Sequence, residues 1–225
     1  MKASVIIPVY NEAGTVAQVV EKVRAVPIEK EIIVVNDGSS DGTREALARY
    51  EGDPDVRVHN SPINLGKGGA VRIGFTMVRG DIVIIQDADL ELDPGEYPRL
   101  IAPILDDEAD VVFGSRFTAG RGGDFVSYFG NRGLTAITNL LFGGHLTDME
   151  TCYKIFRASI LPQLKLKALR FELEPEMAAS FLLGGWRIVE VPVSYAPRTA
   201  SEGKKIRWSD GLGALATLLR KRFRG

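Results

Sequence analysis

Short apolar runs alternate along the chain with polar connections and with segments of helical spacing. Ala3 to Val9 predicts a strand that Pro8 closes, ahead of the polar connection Tyr10-Asn11-Glu12-Ala13-Gly14. From Thr15 to Ala25 the valines Val16, Val19, Val20 and Val23 fall on one helical face. A second strand is expected over Glu31 to Asn36, running into the polar turn Asp37-Gly38-Ser39-Ser40-Asp41-Gly42, with a helix from about Thr43 to Arg49 and a third strand from Val56 to Asn60. Asn64-Leu65-Gly66-Lys67-Gly68-Gly69 opens a helix that continues to about Val78. Ile82 to Ile85 is too short and too β-branched for a helix and predicts a buried strand. A helix over Glu96 to Leu105 and a strand over Asp110 to Ser115 complete a run of βα alternations. Such a run implies a mostly parallel sheet with helices on both faces, an α/β fold of nucleotide-binding type.

Past Ser115 the rhythm changes. Arg116 to Gly130, rich in glycine and aromatics without a period, predicts a mobile loop. Arg132 to Phe142 predicts an apolar helix, Cys152 to Phe156 a strand, Glu172 to Leu183 a helix and Trp186 to Val193 a strand; Pro197 to Lys205 is a polar loop. A last helix from about Ser209 to Phe223 puts Leu212, Leu215, Leu219 and Phe223 on one face and ends in Arg220, Lys221, Arg222 and Arg224. With no internal repeat and no long linker, the 225 residues are expected to form a single domain, 1–115 being a nucleotide-binding type of sheet and 116–225 the half that ends in the basic helix.

Composition narrows the classes. At 45% hydrophobic and 25% charged the chain is an ordinary globular protein, and a net charge of -1 removes any global case for nucleic-acid binding. The single cysteine, Cys152, forms no internal disulfide and is expected to be a small core residue in a reducing compartment. Ala3 to Val9 is too short for a signal-peptide core, and no apolar run approaches the roughly 18 residues that cross a bilayer. A cytoplasmic protein, at most peripheral at the membrane face, is the expectation.

The chemistry gathers at strand ends. After Ile82 to Ile85 come Gln86-Asp87-Ala88-Asp89-Leu90-Glu91, and in extended geometry Asp87 and Asp89 point to one side, with Glu91 following if the chain does not turn. Carboxylates this close repel unless a cation lies between them, and hard oxygen ligands favour Mg2+ or Mn2+. Tyr10, Asn11 and Glu12, and Asp37, lie at the ends of the first two strands, so base and ribose could sit there with a diphosphate near the metal. The Gly-x-Gly-x-x-Gly of dinucleotide folds is absent, and Gly66-Lys67-Gly68-Gly69 lacks the spacing of a P-loop.

Four pieces in order, Ser4-Val5-Ile6-Ile7-Pro8-Val9-Tyr10-Asn11-Glu12, Ile33-Val34-Val35-Asn36-Asp37-Gly38-Ser39, Asn64-Leu65-Gly66-Lys67-Gly68 and Asp87-Ala88-Asp89, resemble the inverting family-two glycosyltransferases of the GT-A fold. Gly114-Ser115-Arg116-Phe117, Asn131-Arg132 and Asp148 with Cys152-Tyr153-Lys154-Ile155-Phe156-Arg157 are similar to their polyprenyl-phosphate branch. The resemblance implies transfer of one sugar from a GDP- or UDP-sugar to a polyprenyl phosphate. Pro8, Tyr10, Glu12, Asp37 and Lys67 would then serve the nucleotide sugar, Asp87, Ala88 and Asp89 the diphosphate, and Asp89 with Glu91 the metal. The branch often carries glutamine where this chain has Glu91, and a carboxylate there adds one negative charge beside the diphosphate.

A lipid phosphate is already an anion and needs cations rather than a base; Arg116, Arg132, Lys204 and Lys205 are the candidates. In that reading Asp148 orients an arginine or caps a helix. If the acceptor were a glycan or small-molecule hydroxyl, Asp148 or Glu150 would be needed as general base. A nucleotidyltransferase is disfavoured because the first connection lacks a glycine-rich loop with a basic residue, and a non-catalytic binding module remains the other alternative. The basic last helix, with its apolar face, could contact a membrane surface or a membrane partner subunit.

Overall fold

The computed structural model describes residues 1–117, 125–198 and 208–224. Strands β1 (Ala3–Val9), β2 (Lys30–Asn36), β3 (Val56–Asn60), β4 (Ile82–Ile85), β5 (Val111–Ser115), β6 (Lys154–Arg157) and β7 (Ile188–Pro192) form one sheet. Its order is β3-β2-β1-β4-β6-β5-β7. Pairing is parallel throughout except for β6, which runs antiparallel to both β4 and β5. The helices are α1 (Val16–Ala25), α2 (Thr43–Ala48), α3 (Lys67–Met77), α4 (Tyr97–Leu105), α5 (Phe125–Phe142), α6 (Leu173–Gly184) and α7 (Trp208–Arg224).

From β1 the chain builds outward to β2 and β3, then α3 carries it back across to β4 on the other flank of β1. The reversal makes a switch point between β1 and β4, and a crevice opens beyond their carboxyl ends. Because β6 is antiparallel, it presents its amino end at that same edge. Residues 148–152, which precede β6, therefore join the residues that follow β1, β2, β4, β5 and β7.

The core is the sheet's two buried faces. On one, Phe75 of α3 meets Phe156 of β6 edge to face at 5.9 Å between centroids, and Phe181 of α6 packs on Phe156 at 5.2 Å. On the other, Tyr97 of α4 meets Tyr153 at 6.0 Å. The α1 valines are buried as their spacing predicts.

Several expectations need correction. Pro8 does not close β1; it pairs opposite Val35 and the strand runs on to Val9. The register places its missing N–H on the β4 side, where pairing ends at Ile6↔Ile85, so no ladder bond is lost. The stretch read as a loop contains the first turns of α5, which begins at Phe125; residues 118–124 lie outside the described residues. Gly130 and Gly133 lower helix propensity, but α5 packs on α6 and α7, and packing decides. In α7 the buried residues among those described are Ala214 and Leu218, and Leu212, Leu219 and Phe223 of the apolar face are exposed, Phe223 by 75%. The helix meets α5 and α6 with the neighbouring stripe.

Candidate active site

The first two polar connections lock to each other. Asn11, at φ 51°, accepts a hydrogen bond from the Ser40 amide at 2.8 Å through Oδ1, and its own amide donates to Ser39 Oγ at 2.9 Å. Asp37 is buried and accepts from the amides of Leu65 (2.9 Å) and Gly66 (2.7 Å), one on each carboxylate oxygen. It thereby fixes the loop that opens α3. Gly38 has to be glycine: at φ +66° its Cβ would lie 2.5 Å from the Ile63 carbonyl carbon. Pro8 is half-buried and Tyr10 stands exposed at the rim.

At the end of β4 the chain turns instead of running on extended. Buried Gln86 accepts from the hydroxyls of Tyr97 and Tyr153, each at 2.7 Å, and its amide nitrogen donates to the carbonyls of Asp87 (3.1 Å) and Leu92 (3.4 Å). Leu90 sits at φ 65°. The turn sends Asp87 and Asp89 to different cations. Lys67 Nζ lies 2.8 Å from Asp87 Oδ1 and 3.0 Å from Glu174 Oε1. Glu174 in turn meets the fully buried Lys154 at 2.5 Å. Lys67 thus serves Asp87 inside this chain of alternating charge rather than projecting into the crevice. Burial opposes the Lys67 charge, but Asp87 holds its pKa well above the usual lysine value; Lys67 likewise keeps Asp87 low against its own desolvation. Ala88 is buried beneath the turn.

Asp89 faces Arg198, whose Nη2 is 3.3 Å from Asp89 Oδ2. The same guanidinium spans both oxygens of Glu12 at 3.2 Å each. Burial, with the charges of Asp87 and Glu91, pushes the Asp89 carboxyl up to about 7. Glu91 holds the segment after β7: its carboxylate accepts from Tyr195 Oη (3.0 Å) and the Arg198 amide (2.9 Å), and its carbonyl from the Ala196 amide (2.9 Å).

Among the described residues no three acidic, histidine or cysteine side chains converge as a ready-made metal cage. The donor chemistry nevertheless fits a hard divalent ion: hard carboxylate oxygens gather at a strand end, one of them made costly to ionise by its neighbours, and the chain's own cation is drawn among them. Mg2+ characteristically takes only one or two carboxylates and completes its shell with water and phosphate oxygens.

Arg116 follows β5 and is held by Asp148: Nε to Oδ2 at 2.7 Å, Nη2 to Oδ1 at 2.8 Å, and the Arg116 amide to Oδ2 at 3.0 Å. Asp148 is 0% exposed, so both its oxygens are committed to this fork. The pair keeps Arg116 firmly charged although burial works against it. The guanidinium also lies over the Tyr195 ring at 5.2 Å. Arg132, exposed on α5, donates to the Thr147 carbonyl at 3.2 Å, which brings both arginines to the 147–148 segment. Glu150 has a buried Oε1 with no hydrogen-bond partner among the described residues, and burial lifts its pKa to about 7. Cys152 is buried, its Sγ 3.9 Å from the Ile85 carbonyl, and its pKa is pushed well up by burial, as suits an inert core thiol. Lys204 and Lys205 lie outside the described residues.

Sequence reasoning passed over Arg198, Glu174 and Lys154. The signal for Arg198 was topological: β7 runs parallel to β5, so the residues after it reach the same edge as those after β1 and β4.

A seven-stranded sheet of this order, with an acidic turn at its switch point, is the GT-A architecture expected for transferases of nucleotide-linked sugars. Residues 4–164 match the sequence profile of the family described as Glycosyl transferase family 2, and the chain belongs to that family. It is 32% identical over 216 residues to an undecaprenyl-phosphate mannosyltransferase of Micrococcus luteus, covering 91% of this chain and 87% of that protein. It is also 31% identical to an undecaprenyl-phosphate 4-deoxy-4-formamido-L-arabinose transferase of Edwardsiella ictaluri, covering 89% of this chain and 62% of that one. In structure it resembles a glucosyl-3-phosphoglycerate synthase of Mycobacterium tuberculosis crystallised with Mn2+, UDP and phosphoglyceric acid, at a TM-score of 0.77 and 23% identity over 99% of this chain and 78% of that one. That likeness shows the fold.

Proposed function

We propose that this glycosyltransferase moves one sugar, with inversion, from a GDP- or UDP-sugar to the phosphate of a polyprenyl lipid, using Mg2+ or Mn2+. The observation that carries the reading is the Arg116–Asp148 fork: beside the crevice the chain fixes a guanidinium that is mostly buried, its side chain 13% exposed, and commits the adjacent carboxylate to holding it. An anionic acceptor needs a positioned cation and no base. The two bacterial relatives named for undecaprenyl-phosphate transfer support the same acceptor class.

Pro8, Tyr10, Glu12 and Asp37 border the nucleoside end of the crevice, with Asp37 acting through the loop it fixes. Asp87, pinned by Lys67, and Asp89 with Glu91 border the diphosphate and metal end. The bound metal would neutralise the departing nucleoside diphosphate and orient it. Arg116 and Arg132 draw the lipid phosphate to the opposite face of the sugar and hold it in line. Among the described residues no helix is long and apolar enough to cross a membrane. The exposed Phe129 and Leu140 of α5 and the exposed Leu212 and Phe223 of α7 give a surface that can lie against the lipid's membrane.

Incubation with GDP- and UDP-sugars, a divalent metal and a short prenyl phosphate, followed by mass, is expected to yield one glycosyl prenyl phosphate and none when a chelator is present. Turnover only with hydroxyl acceptors would replace this reading by the second one, which Glu150 favours: a carboxyl near 7 with an oxygen unpartnered among the described residues is suited to a general base. In that case Glu150→Gln would abolish turnover.

A further inference from the structure

Four consecutive backbone amides, those of residues 146–149, each donate to a side chain. Leu146 donates to Asn139 Oδ1 at 2.9 Å and Met149 to Thr135 Oγ1 at 3.1 Å, both acceptors being on α5. The two amides between them go to Glu190 of β7. Thr147 N lies 2.8 Å from each Glu190 carboxylate oxygen, and Asp148 N lies 3.0 Å from Oε1. β7 is an edge of the sheet, where a carboxylate ordinarily faces water and discourages pairing with another chain. Glu190 is half-buried and instead directs its charge at a segment that is neither helix nor strand.

The peptide unit between Thr147 and Asp148 is thereby held at both ends. Its N–H meets the Glu190 carboxylate, and its C=O accepts from Arg132 Nη1 at 3.2 Å. Anion on N–H and cation on C=O is the favourable arrangement, and both contacts are charge-assisted. One bond further along, the Asp148 side chain holds Arg116. The orientation of a single peptide plane therefore decides where Arg132 stands relative to Arg116.

We propose that Glu190 is a positioning residue for the acceptor phosphate: it fixes the 147–148 peptide on which Arg132 docks, and so sets the separation of the two guanidinium groups. This rests on the acceptor reading above. The Arg116 fork does not depend on it, because Asp148 also accepts from the Arg116 amide at 3.0 Å and is tied to the end of β5. Arg132 does depend on it. A long exposed side chain keeps several rotamers unless its head group is held, and the Thr147 carbonyl is what holds this one. Glutamine at position 190 would keep the shape but offer one acceptor oxygen in place of two, and would turn an NH2 toward a backbone N–H. The peptide could then rotate and carry the Thr147 carbonyl away from Arg132, with nothing altered at the donor end of the crevice.

The test is steady-state transfer to a short prenyl phosphate by wild type, Glu190→Gln, Arg132→Ala and the double variant, with kcat and both KM values measured. Glu190→Gln is expected to raise KM for prenyl phosphate roughly five- to tenfold, with kcat and KM for the nucleotide sugar within about twofold of wild type. In the Arg132→Ala background the same substitution is expected to add less than about twofold, since no side chain is left for it to position. Glu190→Asp keeps the charge but shortens the reach. It is expected to give a smaller rise in the same constant, and it takes the place of Glu190→Gln in the cycle if circular dichroism shows the latter unfolded. An unchanged acceptor KM, full additivity with Arg132→Ala, a change shared by kcat or the donor KM, or failure of both Glu190 variants to fold overturns the positioning role and leaves the acceptor reading standing. No transfer to prenyl phosphate by wild type overturns both.

Discussion

The two corners of the crevice use ion pairs in opposite senses. At the β4 end the carboxylates outnumber the cations among the described residues: Lys67, Lys154 and Arg198 are shared among Glu12, Asp87, Asp89, Glu91 and Glu174. At the β5 end a carboxylate is the servant, since Asp148 gives both oxygens to one arginine and Arg132 approaches the same segment. Among the described residues one corner has fewer cations than carboxylates, and the other holds its cations out for use. A sheet edge bearing both poles can grip a nucleoside diphosphate through a metal and a second anion through guanidinium groups. Tyr195 touches both, by hydroxyl to Glu91 and by ring to Arg116.

The largest break in this contrast should come from the carboxylate-rich corner. Asp89→Ala removes a ligand candidate from the acidic turn but leaves Asp87 on Lys67 and Gln86 on its tyrosines, so the fold should stand. Transfer is expected to fall by roughly a thousandfold in kcat, the equivalent of several kcal/mol of lost charge stabilisation, with an unchanged circular dichroism spectrum. Full activity in this variant, or in chelator, would remove the metal from the mechanism.

The next two substitutions separate the arginines at the other pole. Arg116→Ala leaves Asp148 buried with no counter-charge, which costs about 3–5 kcal/mol and a fall in Tm of roughly 10 °C. Arg132 is exposed and among the described residues bonds only a carbonyl oxygen, so Arg132→Ala should stay within about 0.5 kcal/mol of wild-type stability. Its expected effect is on the acceptor: KM for prenyl phosphate up by about tenfold, one charge-assisted contact's worth, with KM for the nucleotide sugar unmoved. Equal loss of stability in both variants would mean that the fork is not the special feature it looks.

How far the chain announces this arrangement depends on direction more than on pattern. The ends of the first, second and fourth strands were legible because each apolar run stops at a polar turn, and parallel strands put all those turns on one edge. Asp148 as the partner of an arginine was legible as one of two readings, and the fork at Arg116 shows which partner it takes. Arg198, Lys154 and Glu174 were not. Lys154 sits in a four-residue strand where a lysine reads as solvent-facing, and only the antiparallel insertion of β6 between β4 and β5 buries it against Glu174. The acidic turn was legible as chemistry but not as geometry, because Gln86, an unremarkable residue in sequence, bends it by tying Asp87 to Leu92. Likewise Phe125 to Gly130 carries no periodicity of its own, yet it forms the first turns of a helix that packs on α6 and α7.

The smallest effect, and the one that tests where the two poles meet, is a pH dependence at Glu150. Its carboxyl is raised from 4.5 to about 7, by burial first, with Lys154 opposing and Glu174 adding to the shift. The native state therefore keeps a proton there that the unfolded chain has released. Between about pH 4.5 and 7 the folded form binds more protons, so this group's stabilising contribution is complete below 4.5, falls as pH rises and is gone above 7. Asp89, also raised to about 7, gives metal-free protein a slope of the same sign, and that slope is common to wild type and Glu150→Gln. The difference between their Tm curves from pH 5 to 8 isolates Glu150: the variant should lose less stability on going from pH 5 to 7, and the two curves should run parallel above 7. Parallel curves over the whole range would mean that Glu150 is ionised in the folded protein, its charge met by Lys154 or Arg116. The acceptor corner would then carry a second fixed carboxylate and lose the cationic excess on which its contrast with the metal corner depends.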